Sequence, residues 1–217
     1  MKFFMRSLFT ALLFCASLSA LAYFFWYKPK FSKHTAVKKF VAANDETAKE
    51  TAARVKMHAT ALGAYAKAKG CNTDYCFLVD MKLSSGKKRF FVYNLMKDSV
   101  EISGLVTHGS GKTNTSEIQF SNTEGSLCSS LGKYKIGNSY TGKFGLAYKL
   151  YGLDATNSNA ASRYVVLHSH ACVPIGETDP FPICESWGCP TVAPAFLSEL
   201  AKYIDKPGKP VLLSIYK

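Results

Sequence analysis

Cys76-Phe77-Leu78-Val79-Asp80-Met81 and Arg89-Phe90-Phe91-Val92-Tyr93-Asn94 are two short apolar runs with Ser84-Ser85-Gly86-Lys87 between them. Runs of this length, rich in Phe, Val and Tyr and separated by a Ser/Gly turn, read as two strands of a hairpin. The period of the chain changes at Tyr75, from helical spacing before it to strand-length runs after it. Further strands are expected at Val100 to Thr107, Lys133 to Gly137, Phe144 to Leu150, Tyr164 to His170 and Pro210 to Tyr216, each bounded by Gly, Asn or Pro. One late helix is evident: Pro194 opens Ala195 to Ile204, with Phe196, Leu197, Leu200 and Ile204 on a common face. The predicted fold class is mainly β with a few helices, an α+β domain over residues 71–217. No internal repeat is visible.

Upstream, residues 34–70 are rich in Ala, Lys and Glu, with Val37, Phe40, Val41, Ala48, Ala52, Val55 and Leu62 at helical spacing. This is a helical lead-in, expected to break at Asn44-Asp45, to restart with Asp45 as N-cap, and to end at Gly70. Residues 1–27 carry Lys2 and Arg6 and then run from Ser7 to Tyr27 without a charge. A signal peptide would occupy residues 1–22, with Leu8 to Phe14 as its apolar core and Ala20-Leu21-Ala22 as the small-residue cleavage site. A membrane anchor would occupy residues 7–27, with Tyr23 to Tyr27 as an interfacial aromatic belt. Either reading exports the rest of the chain to the periplasm or cell envelope, where seven cysteines are natural. The net charge of +12 is spread along the chain, without the basic, aromatic-interleaved run that would point to nucleic acid. A polyanionic envelope, such as a carboxylate-rich cell wall or anionic lipid, explains the charge equally well.

The chemistry-bearing stretch is Ser186-Trp187-Gly188-Cys189-Pro190, where Gly lets other backbone approach the thiol and Pro fixes the exit direction. His168-Ser169-His170 ends the apolar run Tyr164-Val165-Val166-Leu167, so Cys189 and a strand-borne His are a candidate nucleophile and base. Gly109-Ser110-Gly111-Lys112-Thr113 imitates the end of a phosphate loop, but Val106 stands where the pattern needs Gly and no helix-forming run follows. His108 precedes that turn at a strand end, where it could line the site or be structural. Cys71 with Cys76, and Cys172 with Cys184, are candidate disulfides. Cys189 could equally be a disulfide partner, and His168, His170, Cys172 and Cys184 could hold zinc or copper in an exported metal-binding protein.

At these residues the chain resembles the L,D-transpeptidases with a YkuD-type catalytic domain. The family pattern is a His, a spacer, Ser or Thr, one residue that is usually His, then Gly-Cys. Here 17 residues separate His168 from Ser186, and Trp187 fills the position of the usual His. A subgroup with a Gly-Cys-Pro ending is closer, and it carries patterns like Phe120-Ser121-Asn122, Ser129-Ser130-Leu131-Gly132, Tyr140-Thr141-Gly142-Lys143 and Gly152-Leu153. The resemblance runs from about Phe77 to Val192. It implies a β-sandwich or barrel catalytic domain, no cofactor, and peptidoglycan stem peptides as partners. It implies Cys189 as nucleophile, His168 as base, the Ser169 carbonyl as the group that orients His168, and the Gly188 and Cys189 amides as oxyanion donors. His170, 15 residues before Ser186, is the competing base. His170, Ser186, Trp187, His108 and Tyr140 are the expected substrate contacts. The implied reaction releases terminal D-Ala and joins two stems by a 3-3 cross-link; water or a protein lysine as acceptor stays open.

Overall fold

The computed structural model describes residues 17–112, 117–206 and 208–217, the side chains of 26–46 excepted. The signal-peptide core Leu8 to Phe14 lies outside the described residues. The chain forms two compact units, Met1–Ala52 and Ala53–Lys217. In the first, residues 17–22 are helical, Tyr23–Tyr27 is a π-helical turn, and Leu21, Tyr23, Phe24 and Phe25 are exposed. Among the described residues no helix is long and apolar enough to cross a membrane.

Helix α1 spans Lys28–Lys69 without interruption, so the expected break and N-cap at Asn44-Asp45 are absent. Both residues have only modestly unfavourable helix propensity, too little to end a helix that good formers flank on both sides. The end at Gly70 is as expected. Its φ of +67° allows the Cys71 amide to reach Ala66 O at 2.9 Å and the Gly70 amide to reach Lys67 O at 3.4 Å. From Val55 onward the helix buries Val55, Ala59, Leu62 and Ala66, a strict three-or-four spacing.

The second unit is organised on one eight-stranded sheet. In chain order the strands are β1 (Tyr75–Asp80), β2 (Phe90–Asn94), β3 (Ser99–Gly104), β4 (Gly132–Gly142), β5 (Gly145–Gly152), β6 (Val166–Ser169), β7 (Thr191–Val192) and β8 (Leu212–Tyr216). Their order across the sheet is β3-β2-β1-β8-β4-β5-β6-β7. The β1–β2 hairpin is antiparallel as expected, and Lys87 N donates to Ser84 O at 3.1 Å in its turn. Among the strands of the described residues, only β1–β8 and β6–β7 pair in parallel.

Central strands β1, β2 and β8 are buried on both faces, which is why they read as continuous apolar runs rather than alternating ones. Phe77, Val79, Phe90, Val92, Leu213 and Ile215 face the layer that holds Leu197 and Leu200 of α2 (Pro194–Ile204). Cys76, Leu78, Phe91, Tyr93, Leu212 and Tyr216 face α1. Cys71 and Cys76 belong to that second layer as buried free thiols, which corrects the proposed bridge between them. They fill space there as small apolar groups, and burial pushes the Cys76 thiol up to about 12. Asp80, fully buried at the end of β1, is paired by Arg54 of α1 at 2.9 Å and takes the Lys82 amide at 3.0 Å.

Two of the strands that are shorter than expected bear on the site. Tyr164 has φ 55° and is 85% exposed, so β6 starts only at Val166. Strand β3 stops at Gly104; the next residues turn inward, and Val106 forms an isolated bridge with Val192. That turn is held by Arg89, fully buried, whose Nε and Nη2 donate to Val106 O at 3.1 and 2.9 Å.

Candidate active site

Parallel pairing of β6 with β7 sets His168 opposite Thr191 and Ser169 opposite Val192. Cys189 lies two residues before Thr191, so the loop carrying the thiol is delivered to the strand carrying the imidazole. Nδ1 of His168 meets Ser169 O at 3.1 Å. A carbonyl can only accept, so Nδ1 carries the proton and Nε2 keeps the lone pair. Nε2 lies 3.0 Å from Thr191 Oγ1, which must therefore donate to it. Burial holds His168 below the ordinary imidazole range; the Ser169 bond opposes this and nearby His170 adds to it.

The Cys189 thiol is half-buried. Its sulfur takes the Val166 amide at 3.5 Å and its proton faces Tyr164 O at 3.7 Å. Burial raises its pKa, with Val166 and then Arg163 acting in the opposite direction. Both shifts favour the neutral forms, thiol and imidazole.

Ser186 locks the loop. Its Oγ donates to Cys189 O at 2.7 Å and accepts the Gly188 amide at 3.2 Å. Its own amide donates to His108 O at 2.9 Å, and Ser110 N donates to Ser186 O at 2.9 Å. Thr107 Oγ1 adds a bond to Cys189 O at 3.2 Å. The Gly188 amide is thereby engaged within the loop. The Cys189 amide meets no acceptor among the described residues.

The other expected residues fall in distinct places. His170 is exposed beyond the end of β6, its Nδ1 accepting the Cys172 amide at 3.1 Å. Trp187 is 83% exposed, so its ring is no part of the core. Tyr140 sits in a cross-strand row with Ala147 and His168, on the same face and partly exposed. His108 is buried behind the loop rather than lining it. Arg89 Nη2 donates to its Nδ1 at 3.0 Å, and its Nε2 lies 3.5 Å from Glu185. Burial, then the Arg89 charge, pulls His108 down to about 4.

Cys172 and Cys184 form a disulfide with Cα atoms 6.1 Å apart. Both sulfurs are therefore bonded to each other, which overturns the metal set of His168, His170, Cys172 and Cys184. The bridge leaves Cys189 a free thiol.

Several residues around the thiol were not anticipated. Phe144, at the tip of the β4–β5 hairpin, stacks on His168 at 5.1 Å and meets His170 edge-on at 5.4 Å. A register shift between Ile136 and Ser139 bends that hairpin. Thr191, two residues past the cysteine, lies in a two-residue strand not anticipated from the sequence. Ser129 figures in the sequence only within the Ser129-Ser130-Leu131-Gly132 pattern and Tyr164 only at the head of the His168 run; their place at the thiol, like that of Arg163, depends on partners distant in sequence.

The chain matches the family model described as the L,D-transpeptidase catalytic domain over residues 48–213. A comparison with curated proteins finds no match. Solved structures similar to it include the helical cell shape determining protein Pgp2 from Campylobacter jejuni, 13% identical with a TM-score of 0.44, covering 66% of this chain and 47% of that one. An L,D-transpeptidase from Xylanimonas cellulosilytica is 12% identical with a TM-score of 0.35, covering 65% and 60%. Mycobacterium tuberculosis L,D-transpeptidase 1 is 11% identical with a TM-score of 0.32, covering 65% and 60%. This chain spans about half the length of Pgp2. With the match extending over three quarters of the sequence, the chain belongs to the L,D-transpeptidase catalytic domain family of the YkuD type.

Proposed function

We propose that this protein is an exported cysteine acyltransferase of peptidoglycan stem peptides, with Cys189 as nucleophile and His168 as general base. The observation that carries this is the His168 tautomer. Ser169 O fixes the proton on Nδ1, leaving a lone pair on Nε2 in the strand paired with the segment that follows Cys189. Among the described residues His170 has no such backbone acceptor for its ring; its Nδ1 is itself taken by the Cys172 amide.

The sulfur attacks the carbonyl of the third, L-centred residue of a tetrapeptide stem, and its proton passes to His168 Nε2. For this the Thr191 hydroxyl either releases the nitrogen or relays the proton. The Cys189 amide is placed to donate to the developing oxyanion, a contact worth about 3 to 4 kcal/mol in comparable acyl transfers. The C–N bond to D-Ala breaks, the imidazolium returns its proton to the leaving amine, and a thioester remains. An amine from a second stem attacks the thioester and gives its proton to His168, the C–S bond breaks, the proton returns to the departing thiolate, and a 3-3 cross-link results. With water as the resolving group the same site is an L,D-carboxypeptidase. Trp187 and Tyr140 are open walls for the stem, and the 1–27 segment serves export as a cleaved signal or an anchor.

Mass spectrometry after incubation with a carbapenem, which acylates a catalytic thiol of this family, tests the nucleophile. The expected adduct sits on Cys189 and is absent from Cys189→Ala; an unmodified wild-type thiol sinks the proposal. Product analysis with a tetrapeptide and an amine acceptor then separates cross-linking from hydrolysis.

A further inference from the structure

Arg163 is a cation with an unusual set of neighbours. Nη1 donates to Ser121 O at 2.8 Å and to Ser130 Oγ at 2.5 Å. Nη2 donates to Cys128 O at 2.7 Å and to Ser126 Oγ at 3.3 Å. All four acceptors are neutral, and among the described residues no carboxylate pairs with it. The charge is half-buried, so it is neither cancelled nor fully screened by water.

Its position matters because the segment it grips is the floor of the cysteine loop. A Cβ on Gly188 would stand 2.7 Å from Cys128 O and 3.4 Å from Arg163 Nη2. Ser129 Oγ, in the same segment, donates to Gly188 O at 3.2 Å and accepts the Gly109 amide at 3.0 Å. The guanidinium therefore sits directly beneath the residue that precedes the thiol. Its Coulomb effect on Cys189 opposes the cost of burying a thiolate there.

We propose that Arg163 is a positioning residue for Cys189: its guanidinium holds the 126–130 segment under Gly188 and supplies the uncompensated positive charge that stabilises the thiolate. This rests on Cys189 being the nucleophile, but not on which peptide it attacks. The other ionisable groups around the loop are His168 on β6, His170 just beyond it, the free Cys128 thiol, the His108–Glu185 pair with Arg89 on His108, and Lys143 over the Phe144 ring that stacks on His168. Arg89 and Lys143 are cations too, but Arg163 is the one whose charge acts on Cys189. The planar fork suits the clamp, since Lys could hold only part of it.

The test is the pH dependence of iodoacetamide alkylation, read on the Cys189 peptide by mass spectrometry in the full chain. In Arg163→Gln the midpoint should rise by about one unit, so that the rate at neutral pH falls about tenfold. Arg163→Lys should retain most of the wild-type midpoint. Ser126→Asp leaves the fork in place but gives it a carboxylate, and should raise the midpoint as Arg163→Gln does. A folded Arg163→Gln with an unmoved midpoint overturns the charge role. If that variant fails to fold, an unmoved midpoint in Ser126→Asp overturns it instead. A shifted midpoint in a protein whose wild type takes a carbapenem on Cys189 but does not turn over tetrapeptide leaves Arg163 in place and sinks only the substrate reading.

Discussion

Gly188 shows how narrowly the site is drawn at the scale of single residues. Its φ of +113° is a conformation that L side chains rarely adopt, and a Cβ would collide with the Cys128 carbonyl. Gly188→Ala should therefore cost about 1 to 3 kcal/mol in stability and most of the acyl transfer, measurable by thermal denaturation alongside carbapenem labelling. The two histidines separate cleanly. His168→Ala should lower kcat by about 100-fold or more, as loss of a general base does, while His170→Ala stays within about tenfold. The reverse ranking would transfer the base to His170. Trp187 exposes 83% of its surface and supports nothing in the fold, so Trp187→Ala should leave Tm nearly unchanged. If the ring is a substrate wall, KM rises about fivefold, equivalent to about 1 kcal/mol; an unchanged KM removes Trp187 from the binding surface.

At the scale of elements, the Cys172–Cys184 bridge joins the exit of β6 to the entrance of the cysteine loop. The loop it closes is pinned to the β1–β2 turn: Thr178 and Asp179 amides donate to Gly86 O at 2.9 and 3.2 Å, and Ile183 N to Ser85 Oγ at 3.2 Å. A bridge over a loop of this size stabilises by about 3 kcal/mol. Reduction, or a Cys172→Ser/Cys184→Ser pair, should thus lower Tm while the β1–β2–β8 core persists by far-UV circular dichroism. Acyl transfer should fall more than stability alone predicts, because His170 loses its Cys172 amide and Ser186 its anchored approach. Activity that survives reduction intact would assign the bridge to stability only.

For the whole molecule, pH sensitivity follows from groups buried neutral. His108 has a folded-state pKa of about 4, well below the ordinary histidine value, so the unfolded chain binds the extra proton first as pH falls. Its contribution is fully present above about pH 6.5 and is lost as pH falls toward 4, a total of roughly 2 to 4 kcal/mol. His168 is lowered in the same sense and adds to the loss. Urea melts between about pH 7 and 4 should show this decline, and His108→Gln should flatten much of it. Identical slopes in the two proteins would place the acid sensitivity elsewhere. The Arg54–Asp80 pair acts at this scale too, tying α1 to the end of β1. Arg54→Ala leaves a buried carboxylate unpaired and should cost about 3 kcal/mol or more.

Local pattern determined a good deal of this protein. The β1–β2 hairpin and its turn, the Pro194 start of α2, the Gly70 end of α1 and the Cys172–Cys184 pair all follow from short-range rules of periodicity, capping and proximity in sequence. The His168 strand and the cysteine box were legible for the same reason. Both are compact signals that need few neighbours to interpret. What tertiary structure alone decided is everything that depends on pairing at long range. Strand β8 enters between β1 and β4, so three strands become buried on both faces and Cys71 and Cys76 become core rather than a bridge. The β6–β7 pairing chooses Thr191 as the partner of His168, and contacts made 35 and 42 positions away place Arg163 under Gly188. A sequence shows which residues can ionise, attack or donate. Only the folded backbone fixes which of them share a few ångströms of low-dielectric space, and that sharing sets the chemistry.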